Sequence, residues 1–370
     1  MNVLIAASYK ARRGGNFISS LLELSLSVKS QGGNVIFIFP ESENAKLENS
    51  WCDWLKNHGL TVYLVDKEAS PAKQLDELRQ IINKHNIHIL HTHFGIYGKV
   101  LKRFRRKLPV KIIVHDHFGF PLNKKLRIKQ KLRNAFLSVL YRLLDINVAA
   151  VNKEKGDSFL FSRAWYVPNG LSSIRNVELS RSRYETRALL NISEGQKACL
   201  ILGWDFDRKG MDIAVKAIAE CRMEFPELLL CVVGFGSAPT EKLITYISEN
   251  TDIDPNSHWI RYWDDTEDIF SYHRAVDVYL SASRSEGFPY GILEAISQNT
   301  PVVLSDIKET VWAQSYDHAF TYSVENPLAC AECIKKALEV GRSPSNYEAA
   351  VAQYSITSWC QQMLSIYQEV

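Results

Sequence analysis

Several things are missing from this 370-residue sequence, and each absence narrows what it can be. No stretch approaches the roughly 18 consecutive apolar residues of a transmembrane helix, so no membrane-spanning helix is expected. The opening residues, MNVLIAASYKARRGG, lack the order of a secretory signal: the apolar run is short and the charges follow it. A cytoplasmic protein is expected. The seven cysteines are odd in number and scattered, so no disulfide framework is expected. Cys330 and Cys333 form one CxxC, but no second one accompanies it. The surrounding LACAECIKKAL reads as a helix, and neither a metal nor a redox role is expected. The usage suits a reducing compartment. No G-x-G-x-x-G follows the first apolar run, which argues against a dinucleotide-dependent dehydrogenase. Acids are almost absent from residues 78–144, where 16 Lys and Arg face a single acid, Asp116. The whole chain is only +3, so the remainder is net acidic, and one surface is expected to meet an anionic partner.

What is present is a soluble, globular composition, 46% hydrophobic and 23% charged, in a chain long enough for two domains. Short β-rich runs alternate with helical periodicity. NVLIAAS, NVIFIFP, TVYLV, IHILHTH, VKIIVH and INVAAV are the strands of a first series, with helices such as 17–29 and 71–85 between them. The pattern pauses at AWYVPNGLSSIRN, where Pro168, Asn169 and Gly170 signal a turn. It restarts with ACLILGW, LLLCVVGFG, HWIRYW, DVYLSAS and PVVLSD, and ends in the helical SWCQQMLSIYQEV. Alternation of this kind predicts βαβ units and two parallel sheets, with a boundary near residues 171–190.

Open parallel sheets bind ligands beyond the C-terminal ends of their strands, and two in tandem are expected to face each other across a cleft. Gly14 and Gly15 follow the first strand, where glycines let backbone N–H groups approach a phosphate or sugar. Arg208, Lys209 and Gly210 follow ACLILGW. Cations there oppose the helix dipole, which argues for an anion held beside them. Phe235, Gly236 and Ser237 follow LLLCVVG and are expected to shape the floor of the site. After DVYLSAS comes SEGFPYGILEAIS, with Glu286 in a loop, a Gly287-Phe288-Pro289 turn, and a helix starting near Tyr290. Tyr290, Gly291 and Ile292 would then offer unpaired amides, with Glu294 in the first turns of the helix. Each carboxylate can accept hydrogen bonds from the paired hydroxyls of a sugar or ribose. The competing reading is a helix-capping Glu286 and a solvated Glu294.

With Glu286 and Glu294 spaced by seven residues in SEGFPYGILEAIS…PVV, this stretch resembles the signature of the retaining family-4 glycosyltransferases of GT-B fold. The glycine pair at 14–15, VPNG at 167–170, LGWDFDRKGMDIAVKAI and the last helix extend the resemblance over nearly the whole chain. It implies two Rossmann-like doubly wound α/β domains, an acceptor-binding one over 1–175 and a nucleotide-sugar-binding one over 176–355. A helix over 356–370 would return to the first domain. By the same resemblance Glu286 binds the donor sugar and Glu294 the ribose, while Arg208 and Lys209 neutralise the diphosphate. Gly15 and the backbone around Gly287, Phe288, Tyr290, Gly291 and Ile292 complete the donor site. His115 faces the donor sugar, with His117 beside it; His91 and His93 sit at the preceding strand end, and His93 and His117 are candidates for the acceptor side. Trp204 stands where many members carry arginine, and Asn299-Thr300 where they carry glycine. Tyr262 or Trp263 would lie near the base unless they are core aromatics.

The implied reaction is transfer of a hexosyl or N-acetylhexosaminyl group from a nucleotide-sugar, a UDP-sugar favoured, to a saccharide hydroxyl. No Asp-x-Asp at a strand end suggests a metal-dependent donor site, and WDDTED reads as a helix start, so neither a metal nor any cofactor is expected. The basic window includes KRFRRKLPVK and NKKLRIKQKLRNAFLSVLYRLL. Basic amphipathic segments lie on anionic bilayers, so residues 99–142 are expected to touch the inner face of the cytoplasmic membrane and the acceptor to be lipid-linked, as in surface-polysaccharide or glycolipid assembly. The alternative for the helix is an apolar stripe packed in the core. A nucleotide-sugar epimerase on the same fold is one rival. A non-catalytic module binding nucleic acid through the basic window is another, but no aromatic-rich recognition motif supports it.

Overall fold

The apolar runs form two all-parallel sheets, one in each of two units: Met1–Ser172 with Tyr354–Val370, and Ser173–Gln353. The computed structural model describes residues 1–9, 11–41, 50–203, 205–234 and 238–370, without the side chains of Ser50, Ala238 and Pro239. Trp204 and the Phe235-Gly236-Ser237 turn therefore lie outside the described residues.

In the first unit the strands are β1 (Asn2–Ala7), β2 (Asn34–Pro40), β3 (Thr61–Val65), β4 (Ile89–His93), β5 (Lys111–Asp116), β6 (Ile146–Ala150) and β7 (Ala164–Tyr166), in the order β3-β2-β1-β4-β5-β6-β7. In the second they are β8 (Lys197–Leu202), β9 (Leu228–Val233), β10 (Ile260–Trp263), β11 (Val278–Ser281), β12 (Val302–Ser305) and β13 (Ala319–Tyr322), in the order β10-β9-β8-β11-β12-β13. Each sheet is doubly wound. The order reverses between β1 and β4 in one and between β8 and β11 in the other, and such switch points are where these sheets bind ligands.

The central strands read as continuous apolar runs because helices cover both of their faces. Five of the six residues of β1 and all six of β9 are buried. Each fully buried large side chain contributes about 1.5–3 kcal/mol. The sequence pattern does not announce β7 or β13. Both are short edge strands, three and four residues long and only partly buried, too brief for a periodicity to show.

The last helix, Ile356–Glu369, packs on the first unit, against the Gly15–Ser30 helix. Ser355 caps it, accepting a hydrogen bond from the Ser358 amide at 3.3 Å. Gly170 in the turn after β7 makes the close approach possible: a Cβ there would stand 2.4 Å from Trp359 Cβ. Leu171 N–H then donates to the Tyr354 carbonyl at 2.8 Å.

Candidate active site

In the second unit two loops meet at the switch point between β8 and β11. After β8, Asp205 caps the short helix Phe206–Lys209, accepting from the Arg208 amide at 3.1 Å. Gly210 ends it at φ +62°, a left-handed conformation that suits glycine. A Cβ on Gly210 would also lie 2.1 Å from the Ala282 carbonyl oxygen, in the loop that follows β11. Arg284 stitches the loops further. Its amide donates to the Arg208 carbonyl at 2.7 Å and its guanidinium to the Asp207 carbonyl at 2.6 Å. The same guanidinium pairs with Asp212, at 3.0 and 2.8 Å, and with Glu325.

This stitching places Glu286 against the cations. Lys209 Nζ donates to Glu286 Oε1 at 2.6 Å, Ser283 Oγ to the same oxygen at 2.7 Å, and Arg208 to Oε2 at 3.4 Å. Glu286 is buried, and burial alone would raise its carboxyl. Lys209 and Arg208 outweigh that, and with the Ser283 hydroxyl they hold it below the usual carboxylate range. The helix Tyr290–Ser297 starts just beyond, with Pro289, which offers no side-chain cap, at its N-cap. Gly291 gives that helix its seat: a Cβ there would meet Tyr279 Oη at 2.3 Å. Phe288 stacks on Trp312 with ring centroids 4.9 Å apart. Glu294 is buried, with Glu294 Oε2 3.6 Å from Nε2 of the fully buried His273. Burial, then Glu286 and Glu294, push the Tyr279 phenol well above its ordinary value.

Neither half of the competing reading for the two glutamates holds. Glu286 is not the cap of the helix, and Glu294 is not solvated. Asn299 takes φ +56°, so asparagine supplies the left-handed turn before β12. Tyr262 and Trp263 are half-buried at the end of β10, and both pack locally. The Tyr262 hydroxyl donates to the Pro255 carbonyl at 3.2 Å, and Trp263 meets Tyr272 edge-on at 5.5 Å.

In the first unit the switch point lies between the glycine loop after β1 and the histidines of β4. Gly15 has φ +54° and open space where a Cβ would point, whereas a Cβ on Gly14 would stand 3.0 Å from Trp51 Cβ. The Ser8 amide donates to the His93 carbonyl at 3.3 Å, joining the two strand ends. Register pairs His93 with His115 across β4 and β5, and alternation turns His91, His93, His115 and His117 onto one face of the sheet. His91 Nε2 and His115 Nδ1 are 3.1 Å apart, and His93 Nδ1 and His117 Nε2 are 2.8 Å apart. His91 Nδ1 reaches the Tyr367 hydroxyl of the last helix at 2.7 Å. Burial drives His115 down to about 3, with the Val167 backbone opposing. Burial, then the neighbouring imidazoles, hold His91, His93 and His117 well below the usual histidine range. His91, His93 and His115 bring one nitrogen each within 4.8 Å of one another, a spacing that a transition-metal ion could accept.

Comparison with known proteins decides the family. The model for "Glycosyl transferases group 1" matches residues 182–354, and that for "Glycosyltransferase Family 4" matches residues 19–170. The chain belongs to the family-4 glycosyltransferases of GT-B fold. Over 192 residues it is 24% identical to the serotype-specific mannosyltransferase WbdA of Escherichia coli, covering 48% of this chain and 23% of WbdA. The matches span between 22% and 35% of the length of the curated relatives. Among solved structures, HepE of Anabaena in complex with UDP and glucose superposes with a TM-score of 0.78 at 15% identity over 100% of both chains. A glycosyltransferase of Rickettsia africae gives 0.75 at 14% identity over 100% of this chain and 98% of its own. These structural likenesses show the fold.

In this glycosyltransferase the second unit brings Arg208, Lys209, Glu286 and the turn at Gly287 and Phe288 into one cluster, next to the helix that carries Tyr290, Gly291, Ile292 and Glu294. Ile292 has its side chain in the core and offers the site only backbone. Gly15, His93, His115 and His117 gather in the first unit. Sequence reasoning missed Ser283, Arg284, His273 and Tyr367. Arg284 carried a signal, since it directly precedes the SEG of the motif. His273 and Tyr367 carried none, because only the packing of distant helices brings them to Glu294 and His91.

Proposed function

We propose that this glycosyltransferase moves a hexosyl or N-acetylhexosaminyl group from a UDP-sugar to a saccharide hydroxyl with retention of anomeric configuration. The observation that carries this reading is the cluster of Lys209, Arg208 and Glu286 at the β8/β11 switch point, beside a helix N-terminus. Negative charge develops on the diphosphate as the glycosidic C–O bond breaks. Two cations and a set of helix amides fixed in a buried site stabilise that charge without reorganising. A lysine ammonium carries three donors, so Lys209 can hold Glu286 and a phosphate oxygen together. Glu286, kept ionised by its neighbours, accepts hydrogen bonds from the sugar hydroxyls, and Glu294 accepts from the ribose. The acceptor oxygen bonds to the anomeric carbon on the face the diphosphate leaves, and the departing diphosphate oxygen takes the acceptor proton. Because Arg208, Lys209 and the helix terminus supply the positive charge, the reaction is read as metal-independent. The UDP and glucose bound in HepE and the mannosyl transfer in WbdA's name support a nucleotide-sugar donor and a saccharide acceptor.

The acceptor is read as lipid-linked, used at the inner face of the cytoplasmic membrane in surface-polysaccharide or glycolipid assembly. The helix Lys124–Leu143 supports this. Ile128, Leu132, Phe136, Val139 and Leu143 recur at helical spacing and are all exposed, Phe136 by 74%. The residues this helix buries are polar, Asn134 and Ser138. Asn134 donates to Ser158 at 2.9 Å, and Ser138 accepts from the Phe161 amide at 3.2 Å. An apolar stripe turned outward among lysines and arginines suits an anionic bilayer. Among the described residues no helix is long and apolar enough to cross one.

Thermal unfolding with UDP, GDP and ADP and their sugars tests the donor site. A ligand at about 100 times its dissociation constant stabilises by roughly 2.7 kcal/mol. The expected outcome is a shift with the uridine ligands that Glu294→Ala abolishes. No shift with any nucleotide would remove the transferase reading of this site.

A further inference from the structure

We infer that Phe94 and Phe118, at the C-terminal edge of the first unit's sheet, form a fixed aromatic platform on which a pyranose ring of the acceptor stacks through its apolar C–H face. This deepens the reading of the first unit as acceptor-binding, on which it rests, by naming the subsite and the chemistry it takes.

Three adjacent strands build the platform. β1, β4 and β5 are neighbours in the sheet, and each is followed by aromatic rings. Phe17 lies in the first turn of the helix Gly15–Ser30, Phe94 directly follows β4, and His117 and Phe118 directly follow β5. This edge of a parallel sheet, next to its switch point, is where such sheets bind ligands. Phe94 stacks on His117, with ring centroids 4.4 Å apart. It meets Phe17 and Phe118 edge-on, at 5.0 and 6.3 Å.

Two features go beyond ordinary core packing. Phe94 has φ +54°, a left-handed backbone that is an outlier for a bulky side chain and that recurs at ligand sites. Phe118 is 59% exposed and yet held in place. Its amide donates to Asp116 Oδ1 at 2.9 Å, and the Lys155 ammonium stands 5.5 Å from its ring centroid. Asp116 and Lys155 pair with each other at 3.2 Å, so the backbone and one side of the ring have a common anchor. An exposed aromatic that is already fixed gives up little freedom when a ligand covers it.

The border of the platform is polar. His117 is half-buried, and its Nε2 lies 2.8 Å from His93 Nδ1, which leaves the other ring nitrogen for a ligand hydroxyl. A flat apolar surface edged by a hydrogen-bonding ring matches a pyranose, which carries C–H groups on its face and hydroxyls on its rim. The other occupant to consider is the bilayer, since the exposed Leu122 and Leu126 follow in the chain. Lipid tails accept apolar side chains in any orientation and require neither a fixed ring nor a left-handed backbone. The order of the platform favours the sugar.

The test is saturation-transfer difference NMR on the full chain, with methyl β-D-galactopyranoside, methyl β-D-glucopyranoside and methyl α-D-mannopyranoside as probes. H3 and H5 lie on one face of all three rings. Irradiating the protein's aromatic resonances is expected to saturate H3 and H5 of at least one probe more than the protons of the opposite face. Phe118→Ala is expected to abolish that pattern, and Phe118→Tyr, which keeps the flat ring, to retain it. With the glycoside that binds, Phe118→Ala is expected to raise the acceptor KM roughly fivefold, the worth of about 40 Å² of apolar surface left uncovered, and to leave the KM for the UDP-sugar unchanged. No facial saturation of any probe would overturn the inference, as would a pattern that survives Phe118→Ala. Loss of vesicle flotation in Phe118→Ala with glycoside binding intact would also overturn it and assign the ring to the membrane. The wild-type pattern decides even if Phe118→Ala does not fold. Failure of the parent reading looks different: facial saturation would persist while no probe accepts a sugar and no uridine ligand shifts the Tm, which would overturn the acceptor assignment and leave a sugar-stacking subsite.

Discussion

Glu286 has two duties that ordinary mutagenesis would confuse. It is the counter-ion of a lysine whose side chain is itself nearly buried, and it is the carboxylate proposed to bind the sugar. Removing one partner of a buried pair leaves the other charge uncompensated, typically at a cost of about 3–5 kcal/mol, whereas replacing both by apolar or neutral groups is often close to neutral. Glu286→Gln is therefore expected to lower stability by about 3 kcal/mol and to abolish transfer. Adding Lys209→Met is expected to return most of the stability and none of the activity. Urea unfolding and a transfer assay on the same three proteins check this. A double variant that regains activity would make Glu286 a structural residue. The sign for acid follows from the depressed carboxyl. The stabilisation from this pair is present at neutral pH and is lost as pH falls through the folded-state value, below the usual carboxylate range.

Among the elements, the helix Lys124–Leu143 departs most from what a globular protein does with an amphipathic sequence. Five of its apolar residues face out at helical spacing, Leu137, Leu140 and Tyr141 are only half-buried, and the residues it buries fully are polar. The leucine pattern that would ordinarily predict a core-facing stripe is here a surface, among Lys124, Lys125, Lys129, Lys131 and Arg133. Each cation near an anionic surface contributes about 1 kcal/mol, screened by salt, and the apolar stripe adds a salt-insensitive part. Flotation with vesicles containing phosphatidylglycerol is expected to carry the protein at physiological salt. Leu132→Asp with Phe136→Asp is expected to leave it in the soluble fraction with the Tm unchanged. Wild-type protein that fails to float would remove the membrane reading and with it the main support for a lipid-linked acceptor.

Acid lability is a property of the whole molecule that arises from one face of one sheet. His91, His93, His115 and His117 are all held below the usual histidine value in the folded chain. The unfolded chain therefore binds more protons than the folded one once pH drops below about 6.5. Stability is full above that value and is lost as pH falls from it toward the folded-state values. Each histidine contributes at most about 1.4 kcal/mol per pH unit. Thermal unfolding is expected to move sharply down between pH 7.5 and pH 5.5, and His93→Gln, which cannot titrate there, to show a shallower slope. An identical slope in the variant would mean that the folded protein opens this face to protons.

The sequence by itself determined the two parallel sheets, because strands buried on both faces must be continuous apolar runs and the chain has few other ways to pack them. It also determined that Arg208, Lys209 and Glu286 follow strand ends, because the glycines and proline beside them mark where strands end and helices begin; that Arg208 and Lys209 lie in a short helix of their own it did not show. The edge strands β7 and β13 stayed hidden, being too short for any period to show. Tertiary structure alone decided that the carboxylate read as a sugar ligand and the cations read as diphosphate ligands are one ion cluster. It also brought His273 to Glu294 and Tyr367 to His91, and turned the stripe of the basic helix outward. The physical reason is common to all four. Each depends on how loops and helices far apart in the chain settle against one another, as Gly210 against Ala282 and Gly170 against Trp359 do. Local propensity and periodicity carry no record of which distant surface a side chain will meet.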